Sequence, residues 1–93
     1  MIFFPFSRFE IKGNSMLPDF KEGDRVITYN FSKIKEKDVI ILNKSHSNII
    51  KRIKKISNNK YYVLGDNLEQ STDSRGFGWV TKKDIKCKVL FKY

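Results

Sequence analysis

No stretch of this chain holds an apolar period of 3.6 residues for more than about two turns, and this limits the fold more than any other feature. Short runs rich in Ile, Val, Phe and Tyr, cut by turn signals, stand in its place, which is how strands read. Strands are expected at Phe9–Lys12, Arg25–Tyr29, Asp38–Leu42, Asn48–Ile56, Lys60–Leu64 and Ile85–Phe91. Between them, Gly13-Asn14, Glu22-Gly23-Asp24 (with Gly23 at positive φ), Lys35-Glu36-Lys37, the polar Lys44–Asn48 and Asn58-Asn59 read as turns and loops. Pro18-Asp19-Phe20-Lys21 is expected as one helical turn opened by Pro18. Gly65–Phe77 is polar and glycine-punctuated, hence a long loop. Six short strands in 93 residues give a mainly β fold. Flat exposed edges are a liability, so a small, highly curved antiparallel sheet or partly closed barrel is expected, as one domain over residues 1–93.

Composition excludes several classes. The apolar opening run, Met1 to Phe6, is interrupted by Pro5 and far short of the roughly 20 residues of a membrane-spanning helix. It also lacks the basic start and cleavage site of a signal peptide. The expected location is therefore cytoplasmic or peripheral to a membrane, with Met1–Phe6, Arg8 and Lys12 a candidate contact with an anionic membrane surface. A single cysteine, Cys87, excludes an intramolecular disulfide and a cysteine-built metal site. Alternating with Ile85 and Val89, it reads as a small buried hydrophobe. Neither a cofactor nor a metal is expected. Nineteen Lys and Arg against ten Asp and Glu give a net charge of +9, a field that draws anionic partners. Nucleic acid is not the expected one, because it needs aromatics alternating with Lys or Arg on one exposed face. Tyr61 and Tyr62 are adjacent, so they cannot share one.

Three segments carry chemistry. In the fourth strand, Ile49, Lys51 and Ile53 share a face, opposite Ile50, Arg52 and Lys54. Lys51 is then either an edge lysine that snorkels to water or a desolvated amine, whose neutral form is a competent general base. In Gly13-Asn14-Ser15-Met16-Leu17-Pro18, Ser15 follows a strand on a bend set by Gly13 and Pro18, its own N–H available to a developing oxyanion. The bland alternative is a polar turn with Met16 and Leu17 in the core. In the long loop, Asp73 and Arg75 suit a fixing salt bridge that Arg52 could join, and Ser71 is a candidate supporting hydroxyl.

Together these segments resemble the signal peptidase I family of serine–lysine endopeptidases, with its short motifs in order. Gly13-Asn14-Ser15-Met16-Leu17-Pro18 resembles the nucleophile motif and Ile49-Ile50-Lys51-Arg52-Ile53 the general-base motif. Gly65-Asp66-Asn67, Ser71, Asp73-Ser74-Arg75 and Phe77-Gly78 resemble the last box. The resemblance implies Ser15 as nucleophile and Lys51 as general base, with Ser71 hydrogen-bonded to the lysine amine. It implies Asp73, Arg75 and Arg52 as braces of the site wall. Met16 would pack beneath the nucleophile beside the substrate's small-residue pocket, near Gly13. Some relatives take a second oxyanion donor from a hydroxyl two residues before the nucleophile; Gly13 stands there here.

Bacterial members typically carry amino-terminal anchoring helices and often an inserted β domain. Neither is seen, so the chain is expected to represent the catalytic core, similar to the short members that mature nickel-type superoxide dismutase. The implied substrate is a precursor protein whose amino-terminal leader is cut after small residues. A repressor-type, self-cleaving peptidase shares the chemistry. An inactive domain of the same fold, binding peptides or a membrane surface, is the alternative to an enzyme.

Overall fold

The computed structural model describes residues 5–30 and 33–93. Most of the Met1–Phe6 segment, and the membrane contact expected of it, lies outside the described residues. Strands β1 (Phe6–Glu10), β2 (Arg25–Tyr29), β3 (Val39–Lys44), β4 (Ser47–Ser57), β5 (Lys60–Leu64), β6 (Val80–Thr81) and β7 (Ile85–Lys92) form one sheet in the order β1-β2-β7-β3-β4-β5-β6. Every pairing is antiparallel. With β1 and β6 at its two edges, the sheet stays open and does not close into a barrel.

Two hairpins organise the centre. Ser45-His46 joins β3 to β4 with φ of 51° and 67°, and Asn58-Asn59 joins β4 to β5 with φ of 50° and 62°. Two central residues at positive φ match the twist of the flanking strands, so each hairpin closes in two residues. Asn accepts that conformation readily; Ser45-His46 does not advertise it, which is why the sequence suggests a longer loop over Lys44–Asn48. His46 is exposed.

β3 carries the core on both of its faces. Val39 and Ile41 enter a cluster with Ile11, Met16, Val26, Ile50, Cys87 and Val89. Ile40 and Leu42 enter a second cluster with Ile53, Val63 and Val80. Successive residues of a strand point to opposite sides, so an unbroken apolar run is what burial on both faces requires. Cys87 is buried, as expected of it.

Elsewhere the local expectations need correction. The first strand starts at Phe6 and not Phe9, because Ser7 and Phe9 are its inward residues while Arg8 and Glu10 face out. Ile11 has already left the ladder, giving its N–H to Asp24 O and accepting from Gly23 N. The Leu17–Pro18 peptide is cis, and the helical-type bond runs from Phe20 N to Met16 O, so Pro18 sits inside the turn and does not open it. The Gly65–Phe77 loop contains a 3-10 turn at Leu68–Gln70 and a single α-helical turn, α1 (Ser74–Phe77). Asp73 caps α1 by accepting from Arg75 N at 3.2 Å. Phe77, at the end of that loop, packs on the second cluster. Trp79 is 42% exposed and meets Tyr62 edge-on at 5.2 Å. β6 went unforeseen because two residues are too few to show alternation.

Candidate active site

β4 pairs with β3 over Ser47–Arg52 and with β5 only from Arg52 onward, yet the Lys51 side chain is turned inward and does not snorkel to water. Its ladder partner is Ile40, which is fully buried, and Ile53 on the same side is 1% exposed. Lys51 itself is 4% exposed. Burial disfavours the ammonium and pulls its pKa below the usual lysine value of 10.5, outweighing the opposite pull of the Asp73 carboxylate. Its Nζ lies 2.8 Å from Ser15 Oγ.

Ser15 reaches that point because three segments hold its bend. Gly13 sits at φ of 76°, where a side chain would be strained, and its N–H donates to Glu22 Oε1 at 3.1 Å. Asn67 N donates to Ser15 O at 2.8 Å, and Asn67 Nδ2 donates to Asn14 O at 3.0 Å. Gly65 packs so closely that a Cβ there would lie 2.6 Å from Ser15 O and collide with Ser71 Oγ. Close backbone approach is therefore the work of Gly65; a Cβ on Gly13 would meet no described atom within 4 Å. The Ser15 N–H makes no hydrogen bond among the described residues.

Asp73 anchors the wall behind this pair. Its Oδ2 accepts from Gly65 N at 3.0 Å, Ser71 Oγ at 2.8 Å and Arg75 Nη2 at 3.0 Å, while Oδ1 accepts from Arg75 Nε at 2.8 Å. Burial alone would raise its pKa; Arg75, the Gly65 N–H and Ser71 together hold the carboxyl well below the usual carboxylate range. Two expectations change here. Ser71, expected on the lysine amine, gives its hydroxyl hydrogen to Asp73. Arg52, expected to join Asp73, braces a different wall: it pairs with Asp66 through two bonds at 2.9 and 2.8 Å and reaches Asp19 in the serine loop. The Arg52 side chain emerges opposite Lys51 on β4, which places it away from the Asp73 cluster.

A cavity of about 180 Å³ opens beside the pair. Phe9 and Ile11 line one side and Ile49 and Ile50 the other, with Ser15 and Lys51 in the wall. Met16 is 1% exposed and belongs to the first cluster, and neither Met16 nor Gly13 lines this cavity. Both flanks present unpaired backbone. Among the described residues, β1 pairs only with β2, and the register of β4 with β5 begins at Arg52, leaving Ser47–Lys51 bonded to β3 alone. Asn67, Asp19 and the cavity walls went unassigned from sequence, because each acts through contacts between segments far apart in the chain. Among the described residues, no group of three or more His, Cys, Asp or Glu could hold a metal ion. No helix among them is long and apolar enough to cross a membrane.

Residues 7–76 match the Peptidase S24-like family. A 38-residue stretch is 50% identical to signal peptidase IB of Staphylococcus aureus, covering 41% of this chain and 20% of that protein. A 36-residue stretch is 47% identical to signal peptidase I of Buchnera aphidicola subsp. Baizongia pistaciae, covering 39% of this chain and 12% of that protein. The similarity thus spans a fifth or less of those relatives' own lengths.

Proposed function

Since this chain belongs to the Peptidase S24-like family of serine peptidases, we propose that it removes an amino-terminal leader or signal peptide from a precursor protein, with Ser15 as nucleophile and Lys51 as general base. The observation that carries the reading is the 2.8 Å contact between Ser15 Oγ and a buried Lys51 Nζ. A serine hydroxyl is a weak nucleophile until a base takes its proton, and a lysine can do so only as the neutral amine that burial favours. In the first step Lys51 Nζ takes the Ser15 Oγ proton as Oγ attacks the scissile carbonyl. The free Ser15 N–H donates to the oxyanion, and the new ammonium returns its proton to the leaving amine. Lys51 then deprotonates the water that hydrolyses the acyl-enzyme. Such serine–lysine pairs are a variant of the triad logic.

The free backbone of β1 and of Ser47–Lys51 supports an extended substrate, bound by main-chain hydrogen bonds with side chains entering the apolar cavity. At about 180 Å³ that cavity suits a small or medium aliphatic side chain. The relatives named signal peptidase favour a leader as substrate.

The test incubates the wild-type chain, Ser15→Ala and Lys51→Ala with a panel of leader-bearing precursors, including a nickel-type superoxide dismutase precursor and a secretory one. Mass spectrometry reads the products. Cutting at one site after a small residue by wild type alone is the expected result. Cleavage of its own chain in place of every precursor would favour a self-processing peptidase, and no cleavage by a folded wild type would favour an inactive peptide-binding domain.

A further inference from the structure

We propose that Lys92, the last residue of β7, is a positioning residue of the active site: it latches the loop that carries Ser15 and so sets the contact between Ser15 and Lys51. The inference rests on the peptidase reading of that pair. Lys92 lies beyond residues 7–76, the span that matches the family, and beyond the last of the motifs.

The loop from Gly13 to Asp24 joins β1 to β2 without a helix or strand of its own. Its inner bonds, Phe20 N to Met16 O and Asp24 N to Lys21 O, each at 3.0 Å, fold it into turns. They do not fix where those turns stand against the sheet; contacts from other elements do. Asn67 holds Ser15 O and Asn14 O. Arg52 on β4 grips the carboxylate of Asp19. Lys92 on β7 holds the same residue by its main chain, donating from Nζ to Asp19 O at 2.7 Å. The same ammonium lies 5.4 Å from the centre of the Phe20 ring and 3.8 Å from Asp24 Oδ2. One cation thus meets three residues of the loop. Phe20 in turn packs on the cluster that contains Met16, the neighbour of Ser15.

The register explains how the side chain gets there. Lys92 lies opposite Val26, which is fully buried, so its stem rises on the side of the sheet that holds the first cluster. Tyr93 N donates to Arg25 O at 3.0 Å and fixes the strand just past it. A lysine on an open surface extends into water; this one aims its donor at a main-chain carbonyl and its charge at a ring face. Asp19 stands four residues after Ser15, so slack at Asp19 passes to the bend. The 2.8 Å between Ser15 Oγ and Lys51 Nζ leaves little room for it, because a misplacement of about 1 Å can cost on the order of 100-fold in rate.

The test compares wild type, Lys92→Met and Lys92→Arg in two measurements. One is cleavage of the panel precursor that wild type cuts, with kcat and KM separated; the other is amide hydrogen exchange by NMR, which needs no activity. Lys92→Met should lower kcat about tenfold and leave KM within about twofold, since the cavity walls on β1 and β4 are untouched. Lys92→Arg should recover most of the loss, because a guanidinium can donate to Asp19 O and lie over Phe20. The acid limb of the rate should keep its midpoint, since the burial of Lys51 is unchanged. Exchange at the Phe20 and Asn67 N–H groups should quicken about tenfold in Lys92→Met, while the ladder between β3 and β4 keeps its protection. An unchanged kcat, a loss that arginine does not recover, a displaced acid limb, or faster exchange throughout β3 and β4 would each overturn the proposal. If wild type cuts no precursor, the peptidase reading falls and exchange alone decides the latch: equal exchange at Phe20 and Asn67 in wild type and Lys92→Met overturns it.

Discussion

Lys51 is 4% exposed, and an ammonium needs water or a counter-charge. The carboxylate that acts on it, Asp73, is paired with Arg75, and burial decides the direction of the lysine's shift. The sign follows by linkage. Between the lowered folded-state pKa and the ordinary 10.5, the unfolded chain holds a proton that the folded chain has released. Stability therefore rises with pH across that window, and below it the fold carries the cost of a buried ammonium. Lys51→Met should lose all peptidase activity yet be more stable than wild type at pH 6, by about 1–3 kcal/mol. That gain should shrink as pH climbs toward 10. Thermal unfolding across a pH series checks it, with a shift of several degrees expected. A Lys51→Met protein less stable than wild type at pH 6 would show that the buried amine is not a burden. The acid limb of the wild-type rate should likewise fall below the ordinary lysine range.

Among the elements, α1 and the loop before it depend most on a single side chain. Asp73 caps α1, receives the Gly65 N–H and the Ser71 hydroxyl, and pairs with Arg75, so one carboxylate closes the wall against which the Ser15 bend rests. Asp73→Asn should cost about 2–3 kcal/mol, since buried donors lose an ionised acceptor and Arg75 its partner. The depressed pKa gives this contribution a direction: it is complete above the ordinary carboxylate value of 3.8 and fades as pH falls toward the folded-state value. Urea unfolding of both proteins should thus show a constant gap above pH 5 that narrows below pH 4. A gap unchanged on acidification would mean that the charge of Asp73 contributes nothing. The sequence lists all these residues within one box, yet their partners remain hidden, because side-chain direction in a loop has no period to read.

At the scale of the whole molecule, β3 joins the two clusters, with Ile41 in one and Ile40 in the other. A strand shared this way makes the halves fold together. Ile40→Ala and Ile41→Ala should each cost 2–5 kcal/mol and shift one common transition. Far-ultraviolet circular dichroism and the fluorescence of Trp79 should trace it together; two separated transitions would disprove the coupling. The sequence by itself determined what period and turn chemistry encode. The strands Arg25–Tyr29 and Lys60–Leu64, the Asn58-Asn59 hairpin, the burial of Cys87 and the mainly β fold all follow from local pattern. It also presented Ser15 and Lys51, through motifs that need no geometry to be read. Only the tertiary structure decided that Lys51 is buried, that Ser71 serves Asp73 while Arg52 serves Asp66 and Asp19, and that a cavity opens between β1 and β4. Each of these joins residues distant in sequence, and burial there is set by which strands become neighbours, a property of the sheet order that no local period contains.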